Sequence, residues 1–263
     1  MSDGQYAFEK SKIIQGDCLE KMKLIPDGSI DMILADLPYG TTQNKWDSVI
    51  ELDALWKQYK RIIKENGAIV LTAAQPFTSA LIMSNPKWFK YDWVWQKPKG
   101  TGHLNAKKQP MRDKEDVVVF YKKQCTYNPQ MTEGVPYKEK SGWKGTDGYA
   151  GYGVDKRIGN DNNGVRYPKQ VQQFGVVERG TLHPTEKPIE MLRYFIRTYT
   201  NEGEIILDNT AGSGSLGEAC IKENRDFILI EKELEYYEVI KERVGKIFKN
   251  YGLDLQPLLN ERM

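Results

Sequence analysis

Short apolar runs alternate with helical periodicities along most of the chain. "SKIIQG" (11–16) and "SIDMILAD" (29–36) read as strands, and "LDALWKQYKRIIK" (52–64) sets Leu52, Leu55, Trp56, Tyr59, Ile62 and Ile63 at helical spacing. "GAIVLTA" (67–73) predicts a buried strand, "PFTSALIMS" (76–84) a helix opened by proline, and "YDWVWQK" (91–97) and "EDVVVFYKK" (115–123) two more strands. The period is lost from about residue 124 to 182. It then resumes as helix 188–200, strand 204–208, a glycine-rich turn at 209–215, helix 216–224, strand 226–231 and a charged helix over 234–249. This alternation predicts an α/β fold with a doubly wound, mostly parallel sheet, divided by an irregular insertion. We set the parts at 1–121, 122–182 (the insertion) and 183–263.

An aperiodic stretch of about 60 residues is too long for an ordinary connection, so it is a functional insertion or partly disordered. Its interleaved aromatics, Tyr137, Trp143, Tyr149, Tyr152 and Tyr167, argue against a plain linker. Charge points the same way. The whole chain carries only +2, but residues 97–182 hold 16 Lys and Arg against 9 Asp and Glu. Rings and cations together suit bases and phosphates, with a solvated surface loop as the alternative. The loop "KPKGTGHLNAKKQPMRD" (97–113) adds to the same basic middle.

Composition narrows the function classes. No apolar run reaches the roughly 18 to 20 residues that span a bilayer, and the polar start "MSDGQYAFEKSK" lacks an apolar signal core, so a cytoplasmic protein without membrane partners is expected. Cys18, Cys125 and Cys220 are too scattered for a disulfide framework, and two histidines make a histidine-rich metal centre improbable.

Candidate chemistry gathers at two strand ends. In "EIILDNTAGSGSLGEAC", Asp208 closes a strand and Thr210, Ala211, Gly212, Ser213, Gly214 and Ser215 form the turn into a helix. Glycines there let a ligand approach the backbone, and the helix amino end carries partial positive charge. No Gly-Lys-Ser/Thr follows, so it is not a P-loop. The next strand ends at Glu231, placed to accept hydrogen bonds from ribose hydroxyls. The pair reads as a nucleoside site, or as a purely structural tight turn. At "ILADLPYG" (33–40), a buried strand ends in Asp36, followed by Leu37, Pro38 and Tyr39. A turn alone would leave Tyr39, expected to be exposed, without a task.

"ADLPYG", later "HPTEKP" (183–188) and then "DNTAGSGS", in that order, resemble the amino-methylating DNA methyltransferases of the permuted β group over roughly residues 12–245. The resemblance implies the S-adenosylmethionine-dependent methyltransferase fold, with S-adenosylmethionine as methyl donor and no metal. It aligns Asp36, Pro38 and Tyr39 with the catalytic motif, Asp208, Gly212 and Gly214 with the cofactor turn, and Glu231 with the ribose-binding acid. Asp17 resembles the residue beside the cofactor adenine, and equally reads as a helix N-cap. His183, Thr185 and Lys187 lie in the segment that wraps the methionine end of the cofactor, or else Thr185 caps the following helix. Leu37 departs from the family by standing where the first of two prolines is usual. Asn209 and Thr210 likewise replace a common Pro-Phe.

On this reading Asp36 and a backbone carbonyl at Leu37 or Pro38 hold the N–H groups of a base amine, and Tyr39 stacks on a base flipped from double-stranded DNA. An acid at the first motif position favours adenine N6 over cytosine N4. Ring-carbon methylation of cytosine needs a cysteine after proline, and none of the three qualifies. A homodimer and a cognate restriction endonuclease enter as partners by analogy alone. Glutamine-methylating enzymes share the Pro-Tyr feature but generally carry the cofactor turn first. A dinucleotide-dependent oxidoreductase would use the glycine turn and Glu231 but gives Tyr39 nothing to do, and a non-catalytic DNA-binding module follows if Leu37 spoils the site.

Overall fold

The computed structural model describes residues 8–40, 49–138, 161–176 and 186–259. Contacts divide the chain into two units, Met1–Asn128 with Gln170–Met263, and Pro129–Lys169.

In chain order the first unit contains β1 (Lys12–Gln15), α1 (Cys18–Met22), β2 (Ile30–Asp36), α2 (Leu52–Ile62), β3 (Ile63–Ala73), α3 (Phe77–Ser84), β4 (Phe89–Thr101) and β5 (Arg112–Phe120). The second unit contributes β6 (Thr132–Glu133), β7 (Tyr137–Lys138), β8 (Asp161–Asn162) and β9 (Val165–Arg166). The first unit then resumes with β10 (Val171–Gln173), α4 (Ile189–Tyr199), β11 (Ile205–Asp208), α5 (Ser215–Lys222), β12 (Asp226–Glu231) and α6 (Leu234–Asn250).

Eight strands form one sheet in the order β1-β12-β11-β2-β3-β5-β4-β10. The pairs from β1 to β3 are parallel, β5 runs antiparallel to both β3 and β4, and β10 pairs parallel with β4 at the edge. Period-two side chains explain why both faces are covered. Ile13, Met32, Leu34, Val70, Val117 and Leu229 point into a core shared with α4, α5 and α6. Their neighbours Ile14, Ile33, Ala35, Leu71, Val118 and Ile230 point into a second core with α1, α2 and α3. The expected doubly wound, mostly parallel sheet is therefore present.

Two boundaries differ from the sequence reading. The helix expected to run to Lys64 stops at Ile62, because Ile63 turns extended (φ −73°, ψ 139°) and pairs with Ile30. The β4–β5 hairpin reaches further than its apolar residues, since cross-strand bonding continues to Thr101 and Arg112. In the second unit, β6 pairs with β9 and β7 with β8, both antiparallel. Trp143, Tyr149 and Tyr152 lie outside the described residues.

Candidate active site

Winding reverses between β2 and β11, which lie side by side: β2 leads toward β3 on one flank and β11 toward β12 on the other. Open α/β sheets bind ligands outside the carboxyl ends of strands at such a point. Asp36 ends β2 and Asp208 ends β11, so two acids about 170 residues apart in sequence meet at one edge. The turn that follows β11 is tied to β2 directly, since Thr210 Oγ1 donates to the Asp36 carbonyl at 3.0 Å.

Asp36 is held by three side chains. Its Oδ1 accepts from Thr72 Oγ1, its register partner on β3, and from the Tyr39 hydroxyl at 2.8 Å. Its Oδ2 accepts from Lys187 Nζ at 2.5 Å. The Asp36 side chain is 26% exposed and that of Lys187 10%, so solvent reaches the carboxylate but scarcely the ammonium. Burial works against the charge on Lys187, yet the carboxylates of Asp36 and of Glu115, 3.7 Å away, outweigh it and hold its pKa above the ordinary lysine value. Glu115 also pairs with Lys97, giving an alternating row of charges: Asp36, Lys187, Glu115, Lys97.

Tyr39 is half-buried rather than exposed. Its ring stacks on Phe77 at 5.2 Å and 26°. Burial, with the charges of Asp36 and Glu115, pushes its hydroxyl well above the usual range, so it stays a phenol and donates. Leu37, unexplained as a motif residue, is a core residue: it is buried in the α1–α3 core. Burying a leucine is worth roughly 2 kcal/mol, which accounts for an apolar side chain where a proline would only stiffen the turn. Pro38 is half-buried beside it.

The turn after β11 is closed by its neighbours. Gly212 and Gly214 have φ of +52° and +76°, a region that costs other residues strain. Gly212 N–H donates to Glu231 Oε2 and Glu233 N–H to Glu231 Oε1, each at 2.8 Å. Backbone donors thus hold both Glu231 oxygens, and a carboxylate, with about four lone-pair sites, still has room to accept from a ligand. Ala211 N–H reaches the Ile230 carbonyl, and Asn209 Oδ1 accepts from Tyr59 at 2.5 Å. Ser215 begins α5, and Ser213 lies buried beside it. Arg243 on α6 donates to the Ser213 carbonyl at 3.1 Å and also grips Glu186, so it fastens the turn to the residue preceding Lys187.

Asp208 is buried, and burial pushes its carboxyl up to about 8; the Thr210 N–H opposes this, while the charges of Asp36 and Glu231 add to it. Burial likewise raises Glu231, against its backbone donors. Carboxylates that crowd one another at a strand edge suit a ligand that brings a positive group next to hydroxyls.

The structure gathers Asp36, Leu37, Pro38, Tyr39, Lys187, Asp208, Thr210, Gly212 and Glu231 into this one edge. Asp17, at the end of β1, accepts from Leu19 N–H at 3.0 Å and so caps α1. His183 and Thr185 lie outside the described residues. Lys187, which the resemblance puts in the segment around the methionine end of the cofactor, lies against Asp36. Thr72, Glu115, Tyr59 and Arg243 carry no motif. Only register and helix packing reveal them.

Residues 30–242 match the family model described as DNA methylase (N6_N4_Mtase). The chain is 25% identical over 264 residues to the type II methyltransferase M2.MboI of Moraxella bovis, covering 89% of this chain and 88% of that protein. It is 27% identical over 252 residues to the DNA adenine methyltransferase YhdJ of Escherichia coli K12, covering 89% and 83%. Among solved structures, the M1.HpyAVI–SAM complex superposes with a TM-score of 0.61 at 22% identity, over 89% of this chain and 98% of that one.

Proposed function

Because the chain belongs to the N6/N4 DNA methylase family, which acts on DNA with S-adenosylmethionine as methyl donor, we propose that it methylates adenine N6 of a base flipped from double-stranded DNA. The observation that carries the assignment of residues is the bond between Thr210 and the Asp36 carbonyl, which locks the candidate catalytic strand end against the candidate cofactor turn. The acid at the head of "DLPY" and the adenine specificity named for YhdJ favour adenine over cytosine N4.

The residues present fit the cofactor. The donor brings an electrophilic methyl group on a positively charged sulfur, and the crowding of Asp208, Asp36 and Glu231 is relieved by such a charge. Glu231 would hold the ribose through its spare lone pairs, and Gly212 and Gly214 would let the adenosine approach the backbone. By the family resemblance, Asp17 would close the adenine end and Lys187 would border the methionine end.

A base amine is a weak nucleophile while its lone pair is delocalised into the ring. Asp36 accepts one of its N–H groups and the carbonyl of Leu37 or Pro38 the other, which frees the lone pair to point at the methyl group. Fixed acceptors also stabilise the positive charge that grows on nitrogen. Thr72 and Tyr39 keep Oδ1 aimed, and Lys187 holds Oδ2. The exposed part of the Tyr39 ring, backed by Phe77, meets the flipped base.

We assign the second unit, with its exposed Tyr137 and Tyr167, to target recognition. The enzyme works in the cytoplasm with its DNA, in keeping with three cysteines outside any disulfide. A homodimer and a cognate endonuclease remain part of the proposal by analogy with restriction-modification relatives.

The test is transfer of label from S-adenosylmethionine to duplex DNA. The wild type should transfer, and Asp36→Ala should lose transfer while still binding the cofactor. An Asp36→Ala enzyme at full rate would refute the assignment of the catalytic carboxylate.

A further inference from the structure

The β4–β5 hairpin does not end with the sheet. Ala73, the last residue of β3, pairs with Asp116, so Arg112–Glu115 of β5 run beyond β3. Since β5 is antiparallel to both neighbours, β4 points the same way as β3. The arm therefore leaves from the edge where Asp36 pairs with Thr72. Its base touches the site, through Glu115 and Lys187 at 3.7 Å.

The arm has a defined form. Gln96 pairs with Lys114 and Thr101 with Arg112, so residues 97–100 bulge opposite Asp113, with Pro98, which lacks an N–H, inside the bulge. The tip is a hydrogen-bonded turn: Asn105 N–H reaches the Gly102 carbonyl at 2.9 Å, and Lys108 N–H the Asn105 carbonyl at 2.8 Å. That turn presents Leu104, which is 89% exposed, and Met111, at 43%, immediately precedes β5. Residues 97–114 hold six Lys and Arg against one Asp. Lys97 and Lys114 are paired with acids, whereas Lys99, Lys107, Lys108 and Arg112 have no ion pair among the described residues.

An isolated surface leucine is ordinary. A leucine at the tip of a two-stranded ribbon that carries four cations without ion pairs among the described residues, and that is rooted beside the candidate catalytic carboxylate, matches the face of a nucleic-acid groove. The major groove admits such a ribbon and is about 8.5 Å deep. β10 pairs with β4 only as far as Gln96, whose partner on β5 is Lys114, so Arg112 stands two residue steps, about 7 Å, beyond the sheet, and the turn at Gly102–Lys108 continues past it. The adenine amine faces that groove.

Resting on the methyltransferase reading, we propose that the β4–β5 arm is a DNA finger. It enters the major groove beside the target, Lys99, Lys107, Lys108 and Arg112 neutralise phosphates, and Leu104 wedges into the base stack as the target base leaves it. Nothing covalent changes in this step. The arm lowers the cost of unstacking and fixes the register of the duplex over Asp36.

Full-length variants test it. In Lys99→Ala/Lys107→Ala/Lys108→Ala/Arg112→Ala, all at exposed positions, the slope of log affinity for duplex DNA against log salt should shrink by about 3 to 4, roughly 0.9 per lost phosphate contact. Circular dichroism and cofactor binding should be unchanged. Leu104→Ala should slow methylation of a fully paired duplex at least tenfold, and much less when the target base faces a mismatch, since that base is already partly unstacked. An unchanged salt slope overturns the finger, and equal slowing on paired and mismatched DNA overturns the wedge. Transfer by the wild type separates the two claims: its absence refutes the methyltransferase reading, and the salt slope still decides the finger.

Discussion

Asp36→Asn keeps the shape of the candidate catalytic side chain and removes its charge. Thr72 and Tyr39 are hydroxyls that can turn round and accept, whereas the Lys187 ammonium can only donate. The new amide should therefore set its oxygen toward Lys187 and its NH₂ toward the hydroxyls. Removing one partner from a fully buried ion pair costs about 3–5 kcal/mol. Here Asp36 is 26% exposed and Lys187 retains Glu115 at 3.7 Å, so we expect about 2 kcal/mol, or roughly 4–8 °C in Tm. The loss in rate should be larger. A neutral amide already engaged by Lys187 is a poor acceptor for the base amine, and removing one preorganised partner of developing charge typically costs about 10²–10³ in kcat. Initial rates of label transfer at saturating DNA and cofactor, with thermal unfolding of the same samples, give both numbers. Cofactor affinity should move less than about tenfold, or 1.4 kcal/mol. Adding Lys187→Met should recover most of the lost stability and none of the rate. A variant with wild-type rate, or a double variant no more stable than Asp36→Asn, would refute the reasoning.

Asp208, held at about 8, is mostly protonated at pH 7 in the free protein, and a cationic ligand favours its charged form. Cofactor binding at pH 7 should then release a proton, and affinity should rise with pH up to about 8 and level off above it, as calorimetry in buffers of different ionisation enthalpy would show. The same shift opposes folding of the free protein increasingly as pH climbs from about 4, where the unfolded carboxyl ionises, to about 8, so Asp208→Asn should raise Tm more at pH 8 than at pH 4. Gly214→Ala places a Cβ 3.0 Å from Ile240 at φ +76°, and chemical denaturation should register a loss of about 1–2 kcal/mol. Arg243→Met frees Ser213 and Glu186, and should raise the cofactor Kd at least tenfold while leaving kcat at saturating cofactor within about threefold.

The centre of the sheet was legible because β2, β11 and β12 are apolar runs buried on both faces, and α2 because Leu55, Trp56, Tyr59 and Ile62 form one buried stripe. Asp36 and Asp208 were legible because both close such runs. What period and motif could not show was adjacency. Thr72 reads as the end of an apolar strand until register sets it opposite Asp36. Nothing in its motif shows that Lys187 lies against the Asp36 carboxylate. Arg243 is one cation among many on a charged helix, and its grip on Ser213 depends on how α6 packs. β10, only three residues long, was lost in an aperiodic stretch because an edge strand needs little apolar pattern. Leu37 looked like a flaw in a motif because the motif records the backbone, and the side chain answers to the core beneath it.

The central claim is most directly tested by identifying the product. Wild-type protein, duplex DNA and methyl-labelled S-adenosylmethionine are incubated together, the DNA is digested to nucleosides, and these are separated and weighed by mass spectrometry. The expected result is label in N6-methyldeoxyadenosine. Label in N4-methyldeoxycytidine would contradict the base assignment, and label in no nucleoside would contradict the account as a whole.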